Sequence, residues 1–149
     1  VVGPVKAFAA SWQFWALLSA GFAAMTAIFA KLGVDRVNPD LATLIRTAVV
    51  LVLLFLLVAA TRQWQPLASI PPRAYLFLLL SGLATGASWL CYFRALRLGD
   101  AARVAPIDKL SVVFVAILAA LFLGERLSVT GWAGVALIAC GAVLVALGR

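Results

Sequence analysis

Few residues of this chain could carry chemistry, and three of them fall where a charge is hardest to keep. Arg46, Asp108 and Lys109 each stand at the inner edge of a long apolar run. An ionised group in hydrocarbon is costly unless it meets a polar cavity, a counter-ion or the aqueous boundary. Arg46 precedes a charge-free run over 47–61 and Asp108-Lys109 one over 110–124, each of about 15 residues, or ~22 Å of helix. Crossing a hydrocarbon core of about 30 Å takes roughly 20 residues. Both runs reach that length only by drawing these charges inward.

The helix count puts Arg46 and Asp108 on one face of a bilayer. Both spans start on the side where the preceding span ends, so each residue enters from that side, about 6–8 Å along its helix. An Arg46–Asp108 pair is open to them, with Tyr92 offering a hydroxyl and Trp89 a flat apolar wall. Lys109 points about 100° away from Asp108, so the two are not expected to serve the same face equally. Ser81, Thr85, Ser88 and Tyr92 follow helical spacing along one side of the third span, beside Arg94 at its end. The candidate path or coupling residues are therefore Arg46, Asp108, Lys109, Trp89, Tyr92, Ser88, Thr85 and Ser111. A plainer reading stands beside this one. Arg46, Arg94 and Lys109 could extend their tips to the headgroups, and the hydroxyls could bond helix to helix. Asp108 is too short to extend in that way.

Catalysis finds little support. The chain has no histidine and no Ser or Cys with a plausible base, and Asp108 is the one carboxylate within a span, whereas intramembrane aspartyl chemistry needs two. Cys91 and Cys140 lack CxxC spacing and are read as buried small apolar residues, so no metal site is expected. No phosphate-binding loop and no cofactor motif is present. The reading is a non-enzyme that moves small molecules across a membrane. The rival is a membrane subunit that scaffolds or regulates a partner without transporting anything.

Composition fixes the setting. With 66% hydrophobic and only 11% charged residues, the chain lacks the charged shell a soluble domain needs. The net charge of +7 sits mostly at span ends, where headgroup anchoring explains it, so nucleic acid is not the expected partner. Asp, Glu, Lys and Arg are absent between Lys6 and Lys31, Arg73 and Arg94, and Arg126 and Arg149. With the two runs above, this gives an all-α integral membrane bundle of about five spans, near 14–30, 41–60, 74–96, 104–123 and 129–147. Residues 1–13 form an N-terminal segment whose start is left open, and 14–148 a single transmembrane domain. The first span is too long for the apolar part of a signal peptide and is followed by four more.

Local signals set the ends. Gly33 is placed to end the first span, and Asn38-Pro39 gives an N-cap with proline at the first helical position of the second. Pro71-Pro72 announces the third span and Gly99 closes it. Pro106 is expected in the first turn of the fourth, where proline costs little, and Gly124 at its C-cap. Small residues are expected where helices touch: Gly82 and Gly86 in the third span, Ser19, Ala23 and Ala27 in the first, Gly134 and Gly141 in the fifth.

Several segments together resemble one family. Leu98-Gly99-Asp100, Val104-Ala105-Pro106, Phe122-Leu123-Gly124-Glu125-Arg126-Leu127 and the Gly-rich stretch from Gly131 to Gly141 are similar to the EamA domain of the drug/metabolite transporter superfamily. Ile28-Phe29-Ala30-Lys31 and Arg46-Thr47 are similar to its short, single-domain members. The resemblance covers about 15–147. It implies a five-helix unit, commonly doubled as inverted repeats in a ten-helix exporter, with amino acids, metabolites or drugs as substrates. Glu125 is read as a cap and loop residue.

One unit alone implies an oligomer, with a second copy standing for the missing repeat. The side bearing the N-terminus holds Lys6, Arg62, Arg73 and Arg126; the other holds Lys31, Arg36, Arg94, Arg97, Arg103 and Arg149. That bias of four against six weakly places the C-terminus inside the cell and suits a chain inserting both ways. A homodimer, antiparallel in preference, in the inner membrane of a prokaryote is the expectation. Its partners would be the lipid bilayer and a small-molecule substrate.

Overall fold

Hydrocarbon cannot bond to a peptide group, so a chain crossing it closes its backbone bonds within helices. The computed structural model describes residues 11–148, and every regular element in it is helical. The elements are α1 (Trp12–Val34), α2 (Pro39–Thr61), a short 3-10 turn (Leu67–Ser69), α3 (Pro72–Leu98), α4 (Ala101–Asp108), α5 (Ser111–Leu118), a π-helical segment (Ala119–Leu123) and α6 (Val129–Leu147). Helices α1, α2, α3 and α6, together with the unit Ala101–Leu123, give five segments long and apolar enough to cross a membrane. The chain is an all-α, multi-pass membrane protein. Lys6 and Arg149 lie outside the described residues.

Capping chemistry sets most of the helix ends. Ser11 Oγ accepts from the Phe14 amide, and Asn38 Oδ1 from the amides of Asp40 and Leu41, at 2.9 Å for Asp40. Ser128 Oγ accepts from the Gly131 amide at 3.1 Å. Gly124 stops the fourth span in the left-handed region at φ 68°, and the Glu125 amide bonds back to the Ala119 carbonyl. Arg62 ends α2 at φ 52°, a conformation that costs a side-chain-bearing residue about 1–2 kcal/mol. Two hydroxyls of α2 are satisfied locally: Thr43 and Thr47 donate to the carbonyls of Pro39 and Thr43.

The fourth span departs from expectation. Its helix begins at Ala101, after Asp100 in an extended conformation, so Pro106 lies inside the helix rather than in its first turn. Proline has no amide hydrogen and its ring presses on the carbonyl four residues back. Two residues later the helix tightens: the Leu110 amide bonds to Ile107, three residues back, before α5 resumes at Ser111. Arg46 and Asp108 are each the eighth residue of their helices, about 10 Å in, deeper than the sequence estimate.

Tight packing is confined to one end. Ala30, Val34, Phe93 and Leu96 form a buried cluster, flanked by Ala42, Tyr92, Ala101 and Val104. Above it, cations tie helix ends together. Lys31 Nζ donates to the carbonyls of Leu96 and Gly99 at 2.8 and 3.3 Å. Arg94 forks onto both oxygens of Asp40 at 2.9–3.0 Å, Arg97 donates to the Val37 carbonyl, and Arg103 donates twice to that of Ala146. The most extensive helix packing joins α2 to α3 and α4 to α6. Most large apolar side chains elsewhere face outward, as lipid-facing positions do. Cys91 and Cys140 are exposed on that outer surface, contrary to the buried positions expected for them. In a membrane the outward faces of a span are apolar too, so apolar surroundings in sequence did not mean a packed interior.

Among the described residues, no atom lies within 4 Å of a Cβ built on Gly82, Gly86, Gly134 or Gly141. The helix contacts expected at these glycines are therefore not made inside one chain.

Two predictions follow from these ends. Lys31→Met leaves two carbonyls without their shared donor and should cost about 1.5–3 kcal/mol, the range for bonds to a charged group. Asp40→Asn weakens an exposed ion pair and should cost at most about 1 kcal/mol. Thermal unfolding in detergent would rank them, and the reverse order would contradict the role given to Lys31. At the two left-handed positions the signs should oppose: Gly124→Ala should destabilise by about 1 kcal/mol and Arg62→Gly should stabilise, read in the same assay.

Candidate functional site

Deeper in the bundle than the cation ties, a cavity of about 180 Å³ opens among α1, α2, α3 and α4. It is lined by Ala23 and Thr26 from α1, Arg46 from α2, Ser88, Trp89 and Tyr92 from α3, and Asp108 and Lys109 from the fourth span. Six of the sequence candidates thus converge on one space. Each arrives by the same logic: α2 and α4 enter from the side where α3 ends, so their eighth residues meet the α3 positions two turns from its C-terminus.

Arg46 is half-buried, and its guanidinium carbon sits 4.0 Å from the centre of the Trp89 ring and 5.6 Å from that of Phe93. A guanidinium over an aromatic face gains about 0.5–2 kcal/mol, more where water is excluded. Trp89 is thus an electrostatic platform for Arg46 as well as an apolar wall. Phe93, absent from the candidates, is the buried residue beneath it. Its place one turn after Trp89 on the same face is the signal that could have identified it.

The carboxylate pairs differently from the sequence expectation. Asp108 bonds to Lys109 Nζ at 3.3 Å, and among the described residues no carboxylate lies within 4 Å of Arg46. The Cβ directions of residues 108 and 109 do diverge, but lysine's four-carbon stem wraps back far enough to return its ammonium to the neighbouring carboxylate. Lys109 consequently lines the same cavity as Asp108 instead of a separate face. Arg94, for its part, does not extend freely toward the headgroups, being engaged by Asp40.

Two candidates fall outside the lining. Thr85 donates its hydroxyl to the Ser81 carbonyl at 2.9 Å on the exposed side of α3, and Ser111 is exposed at the start of α5. The hydroxyl row on α3 therefore divides: Ser88 and Tyr92 reach the cavity, while Thr85 bonds along its own helix and Ser81 lies outside the lining. Two neighbouring spaces flank the cavity. A groove of about 370 Å³ shares Arg46 and Thr26 with it and is otherwise walled mainly by apolar side chains, including Phe29, Ile45 and Phe93. Another, of about 490 Å³, runs along the small residues Ala16, Ser19, Ala20, Ala23, Ala24 and Ala27 of α1 and shares Tyr92 and Lys109. Among the described residues no group of three or more metal-ligating side chains forms.

Ionisable side chains inside apolar spans commonly face a polar cavity, as these do. Comparison with known proteins gives the family. The chain is 67% identical over 137 residues to a protein of a Sinorhizobium species described as an uncharacterized transporter in the cobO 3' region, an overlap covering 92% of this chain and 97% of that one. No solved structure matches. The EamA-like transporter family matches residues 10–147, nearly the whole sequence. The chain belongs to that family, and is a membrane transporter rather than an enzyme.

Proposed function

We propose that the protein is a secondary exporter of small metabolites, amino acids or drugs, acting as a homodimer in the inner membrane of a prokaryote. The observation that carries the transport site is the cavity holding Arg46, Trp89, Tyr92, Asp108 and Lys109 about 10 Å inside the spans. Export and the substrate range rest on the resemblance to the double-length family members. The inner membrane rests on the multi-pass fold, with a bacterial relative in support.

Dimerisation rests on two features. The cavity and its flanking grooves lie among helices of a five-span unit too small to enclose an alternating-access path. Gly82, Gly86, Gly134 and Gly141 stand clear of neighbours in their own chain, leaving close-approach faces for a second one. An antiparallel pair would recreate the inverted repeat of the ten-helix members. The loop and tail charges, four against six with Lys6 and Arg149 counted, give only a weak orientation signal.

Flux across a metabolite panel, in liposomes holding the purified chain alone, tests the reading. Arg46→Ala and Trp89→Ala should each lower flux about tenfold or more with protein yield preserved, and Thr85→Val should retain it. Equal loss at Thr85 would remove the cavity from the path, and an inert wild type would favour a scaffold. For topology, C-terminal reporters active on one side of the membrane only should both give signal. Signal from a single reporter would replace the antiparallel dimer with a parallel one.

A further inference from the structure

We infer that the transported solute is an amphiphilic organic anion, its carboxylate held by Arg46 and its apolar part lying in the neighbouring groove. This rests on the transport reading above and deepens it. Charge accounting around the cavity carries it. Asp108 and Lys109 neutralise each other at 3.3 Å, while Arg46, on the facing helix, has no carboxylate within 4 Å among the described residues. The cavity keeps one uncompensated positive charge: the Arg46 guanidinium sits over Trp89 and makes no hydrogen bond to other described residues, so its N–H donors face the cavity unengaged.

Those donors are not alone. The hydroxyls of Thr26, Ser88 and Tyr92 make no hydrogen bond to other described residues, so three further donors line the same space. A guanidinium fork with nearby hydroxyls matches a carboxylate. A cation would meet net repulsion, and the ammonium of a zwitterion would find the charge of Asp108 already neutralised by Lys109.

The second half of the ligand follows from what Arg46 and Thr26 divide. On one side of them lies the polar cavity of about 180 Å³, on the other the groove of about 370 Å³ walled chiefly by Phe29, Ile45 and Phe93. A ligand with its charge at Arg46 can lay an apolar group in the groove without separating charge from counter-charge. A small, wholly polar anion such as acetate would leave that groove unused.

Binding to the purified chain in lipid nanodiscs tests this with 3-phenylpropionate, phenylalanine, 3-phenylpropylamine and acetate. Saturable binding of 3-phenylpropionate is expected, tighter than phenylalanine or acetate, with no competition from the amine. Arg46→Gln should weaken it about tenfold or more, the scale of a lost charge-assisted bond, and Arg46→Lys should restore part. The inference is overturned by an absence of saturable carboxylate binding, by an amine or zwitterion that binds as tightly, or by wild-type affinity in Arg46→Gln. Should Arg46→Gln fail to fold, the ranking of the four probes on the wild type decides alone. Liposome flux with the same preparation separates the two readings. Carboxylate binding without flux of any solute would leave the anion site and end the transport role. Flux of other solutes without carboxylate binding would do the reverse.

Discussion

The placement of α1 depends on one ammonium group. Within lipid there is little hydrophobic gain in bringing one apolar helix to another, so association must come from packing and polar contacts. Helix α1 offers mostly alanine to its neighbours, and open grooves lie along two of its sides. Lys31 bridges it to the carbonyls of Leu96 and Gly99, which close α3, with Asp35 at 3.6 Å steadying the ammonium from its own helix. That bond fixes Ala30 and Val34 against Phe93 and Leu96. It also holds Ala23 and Thr26, about one to two turns down α1, as the fourth wall of the cavity.

The other cations organise the rest in the same way, through carbonyls and carboxylates at helix ends. These are groups that a helix terminus leaves without partners. Arg94 and Arg97 join α3 to the start of α2, and Arg103 joins α4 to the end of α6. At this end of the bundle, what composition presents as a basic shell is largely a set of brackets. They share one end of the bundle with the buried cluster, so the cavity begins where the brackets and the packing give out.

How far the sequence disclosed this varies with the physics involved. Span number and helical class were legible because a run of apolar residues about 20 long has few other uses. The caps at Asn38 and Gly124 were legible because their residue types have conformational reasons to be there. The meeting of Arg46, Trp89, Tyr92 and Asp108 followed from counting spans and depth. Three things were not legible. Lysine's reach returned Lys109 to Asp108, which a helical wheel of Cβ directions cannot show. The start of α4 at Ala101 turned Pro106 from a first-turn residue into an internal one, because the helix runs on past the apolar stretch to its start after Asp100. The open glycine faces could not be foreseen either, since small residues signal close approach without saying whose backbone approaches.

The distribution of polar contacts also divides the bundle. Arg94–Asp40 and Arg46 over Trp89 join α2 to α3, and Arg97 with Val37 joins α3 to the connection leading into α2. Asp108–Lys109 lies within the fourth span, and Arg103 with Ala146 joins that span to α6. Among the described residues no ion pair crosses between these two groups, and the cavity lies on the seam. The fourth span carries an internal proline and a tightened turn at the seam itself, followed by a π-helical segment. Movement of α4–α6 against α2–α3 would therefore break no ion pair and expose no lone carboxylate. On the reading proposed above the anion is held by the Arg46 charge, and such a movement would change how much water reaches that charge. Water screens a charge, so the same contact would hold the solute firmly when the cavity is closed and loosely when it is open, without dismantling either half.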